Sequence, residues 1–260
     1  MSVSNTTHTL KQIKRIYHKI VRNKSFRYFF GEFIGCFILF FCANASPFFA
    51  RTQLEAGLVI FFVLVPLVRM FIPVSSAQFN PYITIPLLLE GRITVINSII
   101  SIFGQLTGGS LGVIVLNISF TDSAVAYLDK SYDIKAEMSE IYGQLALTMA
   151  LIVGLKRNWD MPLTFGFVIA AGVYVLKGGM IVNPCLLVVR LFVNNSNSMD
   201  YISALYFFLF ETVGLVIGYI IGRFIIIAGE PSDDELSRES QDDEKDPLLI
   251  GAVNDEENQS

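Results

Sequence analysis

Two side-chain amides and two carboxylates are the residues of this chain whose type and placement can do chemistry. Asn80 and Asn183 each stand directly before a proline, Pro81 and Pro184, between apolar stretches. An uncharged amide offers two N–H donors and a carbonyl acceptor, which suits it to hydrogen bonding with a neutral molecule. Glu32 and Glu140 each lie in an apolar segment upstream of one of those steps. A carboxylate in an apolar environment is costly unless it finds partners, so both must bind donors or titrate during transport.

The elements that position these groups can be read from the same residues. Asparagine is a favoured N-cap and proline is favoured at the first helical position, so each Asn-Pro step starts a helix. The helices that follow, residues 81–89 and 184–192, are far shorter than the roughly 20 apolar residues that cross a bilayer. They read as half-helices, and irregular backbone at membrane depth is tolerated only against protein or a water-filled cavity. The two steps also belong to an internal repeat. Glu32-Phe-Ile-Gly35 matches Glu140-Ile-Tyr-Gly143, and Gly108 and Gly112 match Gly214 and Gly218 at a similar offset. With an odd number of spans in each half, the second copy is inverted, and both half-helix N-termini approach the bilayer centre from opposite sides.

Composition points to a membrane protein. The chain of 260 residues is 53% hydrophobic with 22 phenylalanines, and only 16% is charged, against about 25% for a soluble domain. Full spans are expected over residues 26–45, 56–72, 95–118, 137–155, 162–176 and 202–227. The expected fold class is therefore an all-α membrane protein with six transmembrane helices and two re-entrant half-helices in an inverted repeat. Residues 1–25 form a basic tail without the apolar core of a cleavable signal peptide. Residues 26–228 form the membrane domain, with repeats at about 26–119 and 136–228, and residues 229–260 form an acidic tail of disordered composition. Lysine and arginine in the short loops put both termini in the cytosol: Lys11, Lys14, Arg15, Lys19, Arg22, Lys24, Arg27, Arg92, Lys156, Arg157 and Arg223 fall inside, against Arg51, Lys130 and Lys135 outside.

Ser75-Ser-Ala-Gln-Phe-Asn80-Pro81-Tyr82-Ile-Thr84 and Gly179-Met-Ile-Val-Asn183-Pro184-Cys185 resemble the two signature loops of the aquaporin (major intrinsic protein) family, and Glu32-Phe-Ile-Gly35 resembles its first-helix motif. The resemblance spans about residues 26–227. It implies a passive channel for water or small neutral solutes such as glycerol or hydrogen peroxide, one pore per protomer and a homotetramer. It also implies that Glu32 and Glu140 accept hydrogen bonds from the re-entrant loops and hold them. Two positions depart from the pattern: the usual third signature residue, alanine, is Tyr82 in one loop and Cys185 in the other. Leu186 stands where the family carries a filter arginine, and the remaining filter positions fall on Ile60 and Val173. Such changes are similar to the unorthodox superaquaporin group, although the cysteine that group often carries further on is Asn194 here.

Two half-helix N-termini, each carrying about half a positive charge, together with the Asn80 and Asn183 amides, would repel cations while exchanging the hydration of neutral solutes. Leu186 removes a guanidinium, leaving either a wider, polyol-tolerant pore or a dewetted constriction. Lys177 and Arg190 are charges near the outer mouth, with Arg190 expected to cap the half-helix or snorkel. Glu211 and Arg69 are further charges without an assigned role. Gly104, Gly108, Gly112, Gly214 and Gly218 suit close helix packing. Cys185 is either a thiol at the pore mouth or an inert buried one.

With His8 and His18 both in the tail, and Cys36, Cys42 and Cys185 unsuited to metal spacing, no enzyme, metal or cofactor chemistry is expected, nor nucleic-acid binding. The sequence Glu244-Lys-Asp-Pro-Leu248-Leu249 resembles an acidic dileucine signal read by clathrin adaptors, which points to the plasma membrane or to endosomal or lysosomal membranes. Asn194 is the sequon placed in an outer loop, Asn44 and Asn117 lie closer to the membrane, and Asn5 lies in the cytosolic tail. Two other classes stay open: a secondary transporter built on inverted repeats, and a non-conducting membrane adaptor whose pore is closed by Tyr82.

Overall fold

The computed structural model of the chain describes residues 12, 14, 15, 18–121 and 133–230. Asn5, His8, Lys11, Lys130 and the expected sorting motif Glu244, Leu248 and Leu249 lie outside them. The membrane domain is built from α1 (Lys24–Phe49), α2 (Gln53–Ser75), α3 (Pro81–Leu89), α4 (Val95–Phe120), α5 (Ile134–Lys156), α6 (Met161–Val175), α7 (Pro184–Arg190) and α8 (Tyr201–Ala228), with no strand among the described residues. Residues up to Arg223 form one compact unit, and a second begins at Phe224 within the last turns of α8.

Five of these helices, α1, α2, α4, α5 and α8, are long and apolar enough to cross a membrane. The sixth expected span is shorter. α6 has 15 residues, about 22 Å at 1.5 Å per residue, below the hydrocarbon thickness of about 30 Å. Asp160 caps its start through the Leu163 N–H, Pro162 stands in its first turn, and a turn at 177–178 follows its end. The Leu163 N–H and the neighbouring Arg69, 2.6 Å away, hold the Asp160 carboxyl below its ordinary range, so Arg69 is an exposed partner of a helix cap.

The half-helices follow from their caps. Asn80 accepts from the Tyr82 N–H at 2.8 Å, with Pro81 in the first helical position. Asn183 accepts from the N–H groups of Cys185 and Leu186 at 3.1 and 3.4 Å, with Pro184 in the same place. α3 ends at Leu89 as expected, whereas α7 stops at Arg190, two residues short of the expected end.

Glycines set the long-helix contacts. A Cβ at Gly112 would meet the Phe37 carbonyl oxygen of α1 at 2.5 Å, and one at Gly108 would overlap that of Phe33. In the second repeat, Cβ atoms at Gly214 and Gly218 would meet the carbonyl oxygens of Ile141 and Leu145 on α5 at 2.5 and 2.6 Å. The first helix of each half therefore packs backbone to backbone against the last, which leaves α3 and α7 to fill the space between the halves.

Candidate functional site

The loops ahead of the half-helices carry the same unusual backbone. Ser76, Ala77 and Phe79 have φ of 69°, 47° and 53°; their repeat equivalents Gly179, Met180 and Val182 have φ of 82°, 57° and 38°. Left-handed backbone at a β-branched valine is an outlier that costs on the order of 1–3 kcal/mol and persists only where the surroundings enforce it.

Glu32 and Glu140 supply that enforcement. Glu32 is fully buried and accepts four hydrogen bonds: Ser75 Oγ at 2.6 Å and the Gln78 N–H at 2.9 Å on one oxygen, the Phe79 N–H at 2.6 Å and Gln105 Nε2 at 2.8 Å on the other. Glu140, also fully buried, accepts from the N–H groups of Met180 at 2.9 Å and Val182 at 3.3 Å. Gln105 is a positioning residue that sequence reasoning missed. It joins Glu32 to the α3 hydroxyl of Thr84, 3.1 Å away.

The two asparagines then tie the loops to each other. Asn80 Nδ2 donates to the Val182 carbonyl at 2.7 Å, and Asn183 Nδ2 donates to the Phe79 carbonyl at 2.9 Å. Each amide spends its oxygen on its own helix and one N–H on the opposite loop. One N–H on each remains, and both residues line a cavity of about 220 Å³. Ile60, Val173 and Leu186, which the sequence assigns to a filter, lie together on the wall of that cavity, and Arg190 is on it as well. A second cavity, of about 330 Å³, lies on the side of Arg92 and Leu155 and shares Val68, Ile83 and Phe165 with the first. The two cavities thus meet at an apolar boundary made by those three residues, beside the paired loops.

Other sequence candidates fall elsewhere. Tyr82 does not line either cavity. Its ring stacks on Phe208 and its hydroxyl lies 3.1 Å from the Phe208 carbonyl and 2.7 Å from Thr212 Oγ1, which fixes α3 to α8. This removes the closed-by-Tyr82 form of the adaptor reading. Tyr82→Phe is expected to cost about 1 kcal/mol of stability, the net worth of a neutral hydrogen bond, with solute flux unchanged; thermal unfolding and liposome flux measured side by side check it. Cys185 is 4% exposed in the apolar core and is absent from the cavity wall, so it is a packed thiol. Lys177 is held 2.6 Å from Asp133. Arg190 does not snorkel away: it is half-buried, with its Nε unpartnered, in electrostatic reach of the buried Glu140 and Glu211.

Comparison with known proteins is consistent with this geometry. An aquaglyceroporin, AqpS, from Rhizobium meliloti (strain 1021) is 23% identical over 183 residues, covering 68% of this chain and 77% of that protein. The X-ray structure of the aquaglyceroporin from Plasmodium falciparum shares the fold with a TM-score of 0.56 at 20% identity, covering 77% of this chain and 95% of the other. The profile of the family described as Major intrinsic protein matches residues 19–158, which take in the whole first repeat and the opening of the second. With more than half of its length so matched, this multi-pass membrane chain belongs to the major intrinsic protein family.

Proposed function

We propose that the chain is a passive channel for water and small neutral solutes, glycerol among them, and that it excludes ions. The observation that carries this reading is the reciprocal pair of amides: Asn80 and Asn183 each keep one N–H for a solute, on a cavity whose other walls are largely apolar. A passing hydroxyl can accept from an amide as it gives up water, while a cation meets N–H donors and two helix N-termini and gains nothing there. The carboxylates take up loop N–H groups, which holds both loops in the conformation that presents the two amides to the cavity.

Ile60, Val173 and Leu186 form the apolar filter in this reading. Leu186→Arg restores a guanidinium beside Ile60 and Val173 and is expected to lower glycerol permeability relative to water by about tenfold, the worth of roughly 1.4 kcal/mol. Stopped-flow shrinkage of proteoliposomes with glycerol as the osmolyte, against a water-only gradient, checks it. An unchanged ratio in an assembled variant would remove Leu186 from the filter. Ion current through the purified wild type would overturn the channel reading itself.

One observation favours the carrier alternative: Glu140 and Glu211 are both fully buried within the membrane domain, with the half-buried Arg190 in electrostatic reach of them. A proton-coupled carrier moves protons together with the solute, so a solute gradient that produces flux without an accompanying change of internal pH separates the two. The lysine and arginine distribution supports a reading in which both termini face the cytosol. Exposed apolar side chains such as Phe62, Ile96, Ile99 and Phe167 suit contact with lipid or with three further copies in a tetramer. Hydrogen peroxide as a further solute, and adaptor recognition of the tail, belong to the same proposal.

A further inference from the structure

The chain ahead of α1 has an order that nothing in the pore accounts for. No acidic residue precedes Glu32, while lysine and arginine recur from Lys11 to Arg27. In the sequence, Ile13, Ile16, Tyr17, Ile20 and Val21 fall at the three- and four-residue spacing of one helix face, and Lys11, Arg15, His18, Lys19 and Arg22 fall on the other. Residues 12, 14, 15 and 18–22 are helical, and Ile20 and Val21 are 47% and 38% exposed. Asn23 then breaks the helix. Its backbone is extended (φ −65°, ψ 121°), its N–H closes the preceding turn onto the Ile20 carbonyl at 3.0 Å, and its side chain caps α1 through the Phe26 N–H at 3.0 Å. The amphipathic segment therefore meets the span at an elbow instead of continuing its axis.

Partners divide the cations of this stretch into two groups. Arg27 Nη2 donates to the Pro73 carbonyl in the last turn of α2, and Lys24 lies over the Tyr28 ring, 5.9 Å from its centroid. Lys14, Arg15, Lys19 and Arg22 are exposed and have no ion pair or hydrogen bond among the described residues. Neighbouring like charges on a helix repel, and a helix this short is marginal in water without a surface to lie on. Phe26 and Phe30, exposed on α1 and stacked 5.6 Å apart, mark where the span enters lipid only a few residues further on.

We infer that the basic face of Lys14, Arg15, Lys19 and Arg22 is a binding site for the anionic phospholipid headgroups of the leaflet that α1 enters, with Ile20 and Val21 in the acyl boundary beneath them. The cytosolic placement of the N-terminus proposed above makes this the cytosolic leaflet, where anionic lipid is concentrated. Orienting the first span needs only an excess of lysine and arginine nearby; it demands neither a helical period nor an apolar stripe. The acidic residues that follow Glu230 in the sequence have the charge to compete for the same cations, but they offer little apolar surface to cover Ile20 and Val21.

Hydrogen exchange of the full-length protein in lipid nanodiscs tests this, because both faces of a disc carry the same lipid. Residues 12–22 are expected to exchange at least about tenfold more slowly in discs of phosphatidylcholine mixed with phosphatidylserine than in phosphatidylcholine alone, and the difference is expected to shrink as salt rises. The combined variant Lys14→Gln, Arg15→Gln, Lys19→Gln and Arg22→Gln removes the pairing charges. Ile20→Ser with Val21→Ser keeps every charge, and with them the orientation signal, but removes the exposed apolar side chains. Both variants are expected to lose the phosphatidylserine-dependent slowing while α1 exchanges as in the wild type. Slowing that survives in either variant would overturn the inference. So would wild-type exchange that is the same in both lipids: equally fast exchange would mean that nothing binds this face, and equally slow exchange would assign it to the acidic tail. None of these outcomes depends on what crosses the pore.

Discussion

Glu32→Ala is expected to prevent the protein from assembling, and by a wider margin than Glu140→Ala. Removing Glu32 strands the N–H groups of Gln78 and Phe79, the Ser75 hydroxyl and one N–H of the Gln105 amide, all on buried residues. Each buried donor left without a partner costs about 1–3 kcal/mol, so four together approach the whole stability of an ordinary domain. Glu140→Ala strands two loop N–H groups and also relieves the repulsion between Glu140 and Glu211. Glu32→Gln is expected to be intermediate, since an amide keeps one acceptor and turns a donor toward the loop. Yield of monodisperse protein after detergent extraction, and thermal unfolding of what is recovered, give the order Glu32→Ala, Glu32→Gln, wild type.

The second large effect is expected for Asn80→Asp and Asn183→Asp, alone and together. Aspartate caps a helix as well as asparagine does, so the acceptor role toward Tyr82 or toward Cys185 and Leu186 survives. What is lost is the Nδ2 donor, which leaves a carboxylate facing the Val182 or Phe79 carbonyl and a negative charge on the cavity wall. Flux of neutral solutes is expected to fall at least about tenfold, corresponding to roughly 1.4 kcal/mol at the paired amides, and cation leak is expected to appear. Planar-bilayer recordings together with liposome swelling test both parts. Normal flux in the double variant would show that the asparagines act only as caps.

The sequence was most informative where structure is decided locally. Asn-Pro fixes a helix start by cap chemistry alone, and α3 runs over Pro81–Leu89 as expected. The glycines were legible because small residues four apart, in both halves, mark a helix face that another backbone approaches closely. The bounds of α6 were legible to within a residue, Met161–Val175 against the expected 162–176, because Asp160 and Pro162 mark its start and a turn follows Leu176. Tyr82 shows the limit of motif reading, since its place beside Asn80 in the sequence says nothing about which side of a nine-residue helix meets Phe208 and Thr212. Gln105 and Glu211 could have been paired by carrying the Gly108–Gly214 offset three residues back, and Arg190 follows from Leu186 by one helical turn. Those signals were present but too short to stand out without the contacts that give them meaning.

The reciprocal amide bonds also carry a consequence for biogenesis. Asn80 and the carbonyl it binds are 102 residues apart in the chain, and Asn183 and its acceptor are 104 apart. While a ribosome is still making the second half, the first loop has its anchor, Glu32, but no opposite stretch of backbone to receive its amide. The permeation path is thus among the last parts of the molecule to become rigid, after the helices that surround it have entered the bilayer. Synthesis halted near residue 180 would leave a membrane-inserted intermediate whose loop around residues 76–80 stays open to proteases and labelling reagents, and completion of the chain would close it.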